Sequence, residues 1–515
     1  MLNYLKPLDI RFKYLFLGIV ISLFWTHGMA LFNKFSFHDD AFHFFDVGAT
    51  YTSGRWGLEL LKKVVILFYG SNGKEIVYSI PIMGGVWSAL YLSIFLYIIV
   101  LLFNIKDNLF IFLLGAIFMA SPYFVSLFAF MFTSSYYVCG LLFSAVASYL
   151  IVKRFRWFHV VIGIILGILA ISIYQANLSL ILSIILLYYI KEFYEVKKFS
   201  LKEFWYRGGY YLLSLVLIVL GYLAITTFIL RYLGLELTNY KDINKMGYSG
   251  FGDYVIRLSY VYTEFFSPTK MAVASNNQHS LFPLNTRFVY QLILGGFLFL
   301  VGYKIVDFSK KDILKARAFW GLSALFPLAC LFCFFMCKYK DVHELMLFSH
   351  LLFLVFFVWL FENTKFYRLE YLRGIGYGLF GVLCLMYCRF GNIMYIKANV
   401  YQERMISYYT SLISEIKSTD MYKDEYPVVM INERNLTDKN FQNLSWLKNY
   451  IRPYFHSYKL LNDYAWRDFL NIWCGYKPEY LDASNFENLE VVKNMPHYPD
   501  KGAIKVVNET VIIKF

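Results

Sequence analysis

Residues 78–103 read YSIPIMGGVWSALYLSIFLYIIVLLF, without a single charged side chain. An α-helix needs about 20 apolar residues to cross roughly 30 Å of hydrocarbon, so this run predicts a transmembrane helix. Further apolar runs qualify at 14–32, 109–122, 127–152, 158–174, 177–190, 208–233, 288–306, 318–337, 345–361 and 374–391. The pattern predicts an all-α polytopic membrane protein with about 11 transmembrane helices.

The composition excludes an ordinary soluble enzyme. Hydrophobic residues make up 59% of the 515 residues and charged residues only 16%, whereas soluble domains are about half apolar and about a quarter charged. The net charge of +14 would suggest nucleic acid as a partner for a soluble chain. Here the excess lies largely in short loops between apolar runs, so the predicted partner is the lipid bilayer and nucleic acid is not predicted.

The distribution of basic residues predicts the orientation. With a cytoplasmic N-terminus, the internal loops carry 19 Lys and Arg in 63 positions, and the external loops carry 12 in 112. Because cytoplasmic loops are enriched in Lys and Arg, this orientation is favoured. It places two large loops, 33–77 and 234–287, and everything from about residue 392 on the extracytoplasmic side.

Two domains are predicted. Residues 1–391 form the transmembrane domain, and residues 392–515 form a small extracytoplasmic α/β domain. The second domain shows a helical stretch, a strand signal and two alternating runs that read as a hairpin. These segments are Tyr401–Ile416, Val428–Ile431, Ala503–Val507 and Thr510–Phe515.

Two adjacent carboxylates open the first external loop. Asp39 and Asp40 follow the first apolar run after a few residues, so they are predicted at the membrane surface. An unpaired carboxylate beside hydrocarbon is costly, and neighbouring carboxylates raise each other's pKa. The pair can act as a general base, alone or with a metal ion, or it can cap a helix N-terminus in solvent.

The same loop contains a weak metal-site pattern. His43 and Asp46 follow Asp39 by four and seven residues, so the three side chains could share a helix face. Carboxylate and imidazole groups can hold a divalent cation such as Mg²⁺ or Mn²⁺. This spacing alone is not a strong ligand set. The sequence therefore assigns no metal ligands and no certain cofactor, and it leaves open whether a divalent cation takes part.

An amphipathic stretch follows in the loop. Trp56, Leu60, Val64 and Phe68 form one apolar stripe at helical spacing, which predicts a helix lying flat at the membrane interface. Arg55 precedes the stripe. Its guanidinium can hold two phosphate oxygens at the depth of the lipid headgroups, or it can simply extend from the interface toward water.

Two further groups of polar residues fall at the external rim. They are Tyr174, Gln175 and Asn177 in one loop, and Lys338, Lys340, His343 and Glu344 in another. Two lysines in an external loop run against the positive-inside tendency. They indicate an anionic partner, or they are ordinary solvated charges.

Three short motifs, in this order, resemble a known family. They are SFHDD at 36–40, SGRWG at 53–57 and YQAN at 174–177. With the predicted sidedness and helix number, they resemble the GT-C superfamily of lipid-dependent glycosyltransferases. More narrowly, the chain is similar to the bacterial glucosyltransferase family that includes the O-antigen glucosyltransferases of serotype-converting phages. The resemblance covers roughly residues 10–400.

The resemblance implies a function and a location. The donor would be a polyprenyl-phosphate sugar, the transferred sugar commonly glucose, and the acceptor a surface polysaccharide. The chain would be a multi-pass protein of the bacterial cytoplasmic membrane that acts on its extracytoplasmic side. A polyprenyl-phosphate glucosyltransferase and a flippase would act upstream to supply the donor. In-line attack assisted by one base would invert the anomeric carbon.

The resemblance also implies site residues. The catalytic carboxylate falls on Asp39 or Asp40, and Arg55 matches the arginine of the family's GRWG-like segment. The remaining rim residues are expected to bind the donor phosphate or the sugar and acceptor. The phosphate candidates are Lys338 and Lys340, and the sugar or acceptor candidates are His38, Trp56, Tyr174, Gln175 and His343.

Two other function classes fit a polytopic chain with large external loops. A transporter or flippase of lipid-linked sugars would need polar residues through the membrane depth. The eleven apolar runs contain no Asp or Glu, which argues against that class. A polysaccharide polymerase would control the length of the surface polymer. We therefore predict a glycosyltransferase, with these two classes as alternatives.

Overall fold

The computed structural model describes residues 9–35, 39–44, 46–48, 50–69, 78–153, 156–197, 199–238, 250–267, 284–337, 342–364, 369–432 and 466–515. The chain divides into two compact units. The helical unit is Met1–Asn33 with Phe45–Ile393, and the C-terminal unit is Lys34–Phe44 with Met394–Phe515. The loop 33–77 of the sequence analysis is thus divided between the two units.

Apolar α-helices make up the helical unit. In chain order they begin with α1 Ile10–Phe32, α2 Trp56–Tyr69, α3 Pro81–Phe103, α4 Asn108–Ala120, α5 Pro122–Phe128, α6 Met131–Lys153, α7 Trp157–Ile173 and α8 Asn177–Glu195. They continue with α9 Leu201–Leu233, α10 Phe251–Phe266, α11 Leu284–Ser309, α12 Ile313–Cys330, α13 Cys333–Met336, α14 Leu352–Glu362 and α15 Leu369–Lys417. Two 3₁₀-helices, Tyr51–Ser53 and Glu344–Leu351, also lie in the described part of this unit.

The prediction of an all-α polytopic membrane protein is confirmed. Within the described residues, 9 helices are long and apolar enough to cross a membrane, or 10 if the bent pair α4 and α5 counts as one. The shorter apolar helix α7 corresponds to the remaining predicted run. Every predicted apolar run therefore falls on a helix.

The short run at 109–122 is short because the helix breaks. Ser121 separates α4 from α5, and the two helices are bent by 43°. The Ser121 side chain accepts from the backbone N–H of Phe124, and Pro122 follows as the first residue of α5. Serine is a favoured N-cap, and proline restricts the residue before it and suits the first helical position, so the local sequence ends one helix and starts the next.

Two features of the fold differ from the sequence prediction. The run at 374–391 and the helical stretch Tyr401–Ile416 were predicted as separate elements, but both belong to the single helix α15 of 49 residues. The predicted loop 234–287 contains α10, which buries Val261, Glu264 and Phe265. This helix escaped prediction because it has only 16 residues and because Asp253, Arg257 and Glu264 interrupt its apolar sequence, so it lacks a long apolar run.

The C-terminal unit contains a small three-stranded sheet. Its strands are β1 Val428–Ile431, β2 Ile504–Val507 and β3 Thr510–Lys514, in the order β1-β3-β2. β1 runs parallel to β3, and β2 pairs with β3 as an antiparallel hairpin. The hairpin turns at Asn508 and Glu509, which both have positive φ, as a two-residue turn of type I′ requires. The predicted strand and hairpin are confirmed.

The sheet packs against short helices of the same unit. These are the 3₁₀-helix Ala483–Asn485 and α17 Glu490–Lys493, whereas α16 Trp466–Cys474 contacts α15 through the rings of Phe469 and Tyr409. Val429, Ile431 and Ile512 form a buried cluster with Val492 and Met495. The predicted small α/β region is thus built around one apolar face of the sheet.

Two buried lysines stabilise helix ends in the helical unit. Lys315 Nζ donates to the carbonyl oxygens of Tyr194, at 3.0 Å, and of Val196. Lys304 Nζ donates to Asn363 O at 2.9 Å and lies 5.0 Å from the centre of the Tyr194 ring. These carbonyls belong to the C-terminal ends of α8 and α14, where the helix leaves them without internal partners. Cations are favoured at such ends.

We expect Lys315→Met to lower the free energy of unfolding by about 1–3 kcal/mol, because two partly buried carbonyls would lose a charged hydrogen-bond donor. Lys311→Met is the matched control. Lys311 lies four residues away, is exposed and pairs with Asp307 at 2.9 Å, so its loss should change stability by less than about 0.5 kcal/mol. Thermal unfolding in detergent measures both variants. Equal melting temperatures for the two would contradict the capping role.

Candidate functional site

The SGRWG motif forms the tight turn that leads into α2. Residues Tyr51–Ser53 make one 3₁₀ turn, Gly54 adopts a left-handed conformation with φ 73°, and α2 begins at Trp56. A Cβ atom on Gly54 would lie 2.4 Å from the hydroxyl oxygen of Tyr222. Glycine is required here both by the backbone conformation and by the close approach of α9.

The YQAN motif binds directly to this turn. The Gln175 side-chain amide donates to Ser53 O at 2.6 Å and to the Tyr222 hydroxyl at 3.1 Å. The Tyr222 hydroxyl in turn donates to Gly54 O at 3.2 Å. The two motifs, more than a hundred residues apart in the chain, therefore form one buried hydrogen-bond network.

Trp56 and Gly57 fasten the start of α2 to its neighbours. The Trp56 indole N–H donates to Thr226 Oγ1 on α9 at 3.1 Å. A Cβ atom on Gly57 would lie 2.3 Å from Ser172 Oγ on α7. Trp56 was predicted to bind sugar or acceptor, and the structure shows that its N–H is already used within the protein.

Arg55 projects from the turn onto two tyrosines. Its Nη1 donates to the Tyr137 hydroxyl at 3.1 Å, and its guanidinium carbon lies 5.1 Å from the centre of the Tyr174 ring. The rings of Tyr137 and Tyr174 stack with centroids 4.5 Å apart. A guanidinium held over an aromatic ring keeps its positive charge, which can attract an anion. The structure thus brings the predicted residues Arg55, Trp56, Tyr174 and Gln175 together.

A small pocket adjoins this pair of tyrosines, and we call it the tyrosine pocket. Three tyrosines, one phenylalanine and several aliphatic side chains form most of its wall. Its lining residues are Tyr123, Leu127, Tyr137, Leu141, Tyr174, Ala176, Asn177, Leu180, Leu345, Met346, Phe348 and Ser349. Because Tyr137 and Tyr174 both line it and both contact Arg55, the guanidinium lies at its edge.

The predicted stripe on α2 is largely exposed in the helical unit. Leu60, Val64 and Phe68 have exposed fractions of 46%, 40% and 83%, whereas Leu58 is fully buried. An apolar face left uncovered by protein is what contact with lipid requires. The predicted interfacial helix therefore has the surface it needs.

Asp39 and Asp40 lie in the C-terminal unit and differ in their surroundings. Asp40 is 1% exposed and forms an ion pair with Lys34. The side-chain amide of Gln402 on α15 donates a hydrogen bond to Lys34 O at 3.1 Å. Asp39 is only half-buried. Asp39 is thus the more accessible of the two carboxylates.

The predicted helix face carrying Asp39, His43 and Asp46 is not formed. Residues 39–44 make successive turns instead of a helix, with one bond from His43 N–H to Asp39 O at 2.9 Å. Asp46 belongs to the helical unit and pairs with Lys62 on α2 at 3.1 Å. In the described residues, no group of three His, Cys, Asp or Glu side chains is arranged to hold a metal.

His43 has an acidic neighbour elsewhere in the C-terminal unit. Burial raises the pKa of Asp468 on α16, and the nearby charges of Lys477 and His43 oppose that shift. A carboxylate and an imidazole therefore lie close enough to interact electrostatically beside the Asp39 turn.

Several predicted residues fall elsewhere. His38, Lys338 and Lys340 lie outside the described residues, so the structure gives no position for them. His343 precedes the 3₁₀-helix Glu344–Leu351, and its backbone N–H donates to Met346 Sδ at 3.4 Å. It lies close in sequence to Leu345 and Met346, which line the tyrosine pocket.

Comparison with protein families identifies the chain. The sequence model of the family described as Glucosyl transferase GtrII matches residues 28–359, well over half of the chain. The chain belongs to the GtrII glucosyltransferase family. The resemblance to the glucosyltransferases of serotype-converting phages is thereby confirmed. Comparisons with curated proteins and with solved structures gave no significant match.

The GtrII match covers both interlocking motifs and the tyrosine pocket. It begins in α1 and ends in α14, so Arg55, Tyr137 and Tyr174 all lie within it. Most of the C-terminal unit, from Met394 onward, lies beyond the matched region. Family membership establishes a glucosyltransferase with membrane-type helices and leaves the C-terminal unit without an assigned role.

Sequence reasoning missed part of this GtrII site. Tyr137 and Tyr222 contact the motif residues, but each lies in a long apolar run where its spacing is unremarkable. Two acidic residues that lie outside the predicted apolar runs are also buried. The exposed fraction is 1% for Glu264 and 6% for Glu344. The absence of Asp and Glu from the apolar runs therefore no longer argues against a transporter. The assignment as a glucosyltransferase rests on the family match.

We expect Gly54→Ala to abolish most activity and to destabilise the helical unit, because the new methyl group would collide with Tyr222. Gly234→Ala is the matched control. Gly234 is also left-handed, with φ 65°, but has no atom within 4 Å of the added carbon. Both variants carry the cost of about 1–2 kcal/mol for an alanine in the left-handed conformation. The difference between the two variants in transfer rate and in thermal unfolding therefore measures the effect of the collision alone. Equal effects of the two substitutions would contradict a structural role of the Gly54 contact.

Proposed function

We propose that this GtrII family member transfers a glucosyl group from a polyprenyl phosphate to a surface polysaccharide, with inversion at the anomeric carbon. The reaction would take place on the extracytoplasmic side of the bacterial cytoplasmic membrane. The observation that carries the proposal is Arg55, held by Tyr137 and Tyr174 at the edge of a mostly apolar pocket. A lipid phosphate presents an anion joined to hydrocarbon, which matches this combination of charge and apolar wall.

The chemistry divides between a cation and a base. The bond between the anomeric carbon and the phosphate oxygen breaks, and the bond to the acceptor oxygen forms. Phosphate is a good leaving group, and Arg55 would stabilise the charge that develops on it. The acceptor hydroxyl is a poor nucleophile, so a carboxylate must take its proton.

Asp39 is our candidate for this base. A general base must be reachable by the hydroxyl that it deprotonates. Asp39 is half-buried, whereas Asp40 is nearly inaccessible and paired with Lys34. Asp40 would then hold the turn in place as a positioning residue. Tyr174, Gln175 and His343 stay candidates for sugar or acceptor binding.

The sidedness rests on the density of Lys and Arg in the loops. A cytoplasmic N-terminus and an extracytoplasmic C-terminus follow from that distribution. The donor would then be made by a polyprenyl-phosphate glucosyltransferase and moved outward by a flippase. Thiol labelling of single cysteines at Glu59 and Lys310 in intact cells tests the orientation, since only the first should react from outside.

Glucosyl transfer can be tested with the purified full-length chain in lipid vesicles. Vesicles would receive polyprenyl phosphate carrying radiolabelled glucose, with fragments of the surface polysaccharide as acceptor. We expect label in the polysaccharide and an anomeric configuration opposite to that of the donor, as read by NMR. Donor that crosses the bilayer without any transfer would refute the proposal in favour of a flippase.

A deletion strain separates the remaining alternative. Loss of this enzyme should remove a side-chain glucose and leave the length distribution of the surface polymer unchanged. A collapse of polymer length would identify a polymerase instead. Activity measured with chelator, and again after Mg²⁺ or Mn²⁺ is added back, tests the open question of a divalent cation.

A further inference from the structure

We propose that Asp468 on α16 binds hydroxyl groups of the acceptor saccharide beside the turns of residues 39–44. The inference rests on the proposed function, since it assumes that Asp39 takes a proton from an acceptor hydroxyl. It adds the part of the protein that holds the acceptor. Asp468 and its neighbours Lys477, His43 and Phe42 all lie in the C-terminal unit, and we call these four residues the Asp468 site.

The position of the candidate base limits where the acceptor can bind. A general base must lie within hydrogen-bond reach of the hydroxyl that it deprotonates. Asp39 belongs to the segment Lys34–Phe44, which is part of the C-terminal unit and not of the helical unit. The acceptor hydroxyl must therefore reach the surface of the C-terminal unit, and the sugar that carries this hydroxyl must contact residues around Asp39.

Helix α15 holds both parts of the Asp468 site on one of its faces. Gln402 donates to Lys34 O at 3.1 Å, and Lys34 pairs with Asp40. Tyr409, on the same helix, packs its ring against Phe469 of α16 with centroids 5.9 Å apart. A step from residue 402 to residue 409 is almost two helical turns, so the two contacts share a face and lie about 10 Å apart along the axis. Helix α16 is therefore held near the turns of residues 39–44.

The end of α16 brings a cation back toward Asp468. Gly475 follows the last residue of α16 and is left-handed, with φ 64°, as is common directly after a helix. The next backbone N–H, that of Tyr476, donates to Leu470 O at 3.2 Å, so the chain folds back along the helix. The charge of Lys477 partly offsets the rise in the pKa of Asp468 that burial causes, so these two side chains lie near each other.

The Asp468 carboxylate needs hydrogen-bond donors from outside the protein. It is half-buried, and no group among the residues that the structure describes donates a hydrogen bond to it. A partly desolvated carboxylate without donors is unfavourable, and its two oxygens can accept from two donors at once. Water supplies these donors in the free enzyme. Two neighbouring hydroxyl groups of a sugar ring can replace that water, while Lys477 donates to a sugar oxygen.

An exposed aromatic ring completes the Asp468 site. Phe42 has an exposed fraction of 53%, and the edges of its ring and the His43 ring meet with centroids 4.9 Å apart. A sugar ring presents hydroxyl groups at its rim and C–H groups on its faces, so it can use both a carboxylate and an aromatic surface. A metal ion would fit this site poorly, because the positive charge of Lys477 would repel it.

Steady-state kinetics of the full-length chain in vesicles tests the inference. The acceptor would be oligosaccharides released from the surface polysaccharide of the deletion strain, varied at saturating donor. We expect Asp468→Ala to raise the acceptor KM by about 10–100-fold, as loss of hydrogen bonds to a charged group predicts. The donor KM should stay unchanged and kcat should change less than about threefold, because binding is lost and not chemistry. Asp468→Asn should have a smaller effect, since its amide oxygen still accepts.

Asp500→Ala is the matched control for loss of a carboxylate. Asp500 is an exposed aspartate of the same unit, and its replacement should leave the acceptor KM unchanged. An unchanged acceptor KM in folded Asp468→Ala would overturn the inference. A rise in the donor KM without a rise in the acceptor KM would overturn it as well.

Chemical protection of the unmodified chain provides a second test that needs no variant to fold. Lys477 and Lys501 are both exposed lysines of the C-terminal unit. The acceptor oligosaccharides should slow acetylation of Lys477 several-fold and leave Lys501 unaffected, as read by mass spectrometry. Polyprenyl phosphoglucose alone should protect neither lysine. Equal acetylation of Lys477 with and without saturating acceptor would overturn the inference.

The two proposals fail in different ways. Vesicles in which the unmodified chain transfers no glucose from any polyprenyl donor refute the proposed function. Vesicles in which transfer is normal, but Asp468→Ala keeps the parent acceptor KM and the acceptor leaves Lys477 unprotected, refute the Asp468 site alone.

Discussion

Asp39→Asn is expected to lower kcat for glucosyl transfer by about 10²–10⁴-fold, the range typical for loss of a general base. The substitution keeps the size of the side chain and removes its ability to take a proton. Donor binding should change little, because in our proposal the donor phosphate is held by Arg55. Transfer of radiolabelled glucose at saturating donor, with KM measured separately, provides the test.

Asp40→Asn is the informative companion to this variant. It breaks the buried ion pair with Lys34, so it should reduce the thermal stability of the C-terminal unit as well as activity. The double variant Lys34→Met with Asp40→Asn removes both charges and should regain part of the loss. If Asp40→Asn is inactive at full stability while Asp39→Asn transfers glucose normally, the roles of the two carboxylates are reversed. If both single variants transfer glucose at the parent rate, neither carboxylate is the base.

Arg55→Met is expected to raise the donor KM by about 10–100-fold, since a charged hydrogen-bonded contact contributes about 1.5–3 kcal/mol and each 1.4 kcal/mol is about a factor of ten. The donor KM of Arg55→Lys should lie between those of the parent enzyme and Arg55→Met, because lysine keeps the charge but cannot hold two phosphate oxygens at once. Inhibition by free polyprenyl phosphate should weaken in parallel. Steady-state kinetics in vesicles measures all three effects.

Arg231→Met is the control for a general loss of interfacial charge. Arg231 is an exposed arginine in the last turn of α9. Its replacement should leave the donor KM unchanged. A donor KM that is the same in Arg55→Met and in the parent enzyme would refute phosphate binding by Arg55. Thermal unfolding of Arg55→Met shows whether the contacts to Tyr137 and Tyr174 also contribute to stability.

The membrane helices were predictable because the bilayer sets their length and composition. Each predicted apolar run falls on a helix. The ends were less predictable, because a helix can continue past the apolar region without a change in backbone bonding. The helix α15 is the clearest case, since its polar second half was predicted as a separate element. The helix α10 was missed because charged residues interrupt its 16 residues, so its sequence shows no long apolar run.

The candidate site was predictable only where its residues stand in short motifs. The order of the motifs brought Arg55 and Gln175 to attention, and the structure joins their segments through Ser53 and Tyr222. Tyr137 could not be found in this way, because a tyrosine in an apolar helix looks like any packing residue. The difference between Asp39 and Asp40 was equally hidden, since it depends on the position of Lys34.

The sequence by itself determined the membrane-spanning architecture, the small C-terminal sheet and the glucosyltransferase family. Those properties depend on local composition, periodicity and short motifs, which a linear chain displays directly. The tertiary structure alone decided that SGRWG and YQAN interlock, that two tyrosines hold Arg55 beside a pocket and that Asp40 is buried against Lys34. Those facts depend on contacts between residues distant in the chain, and such contacts arise only when helices pack side by side.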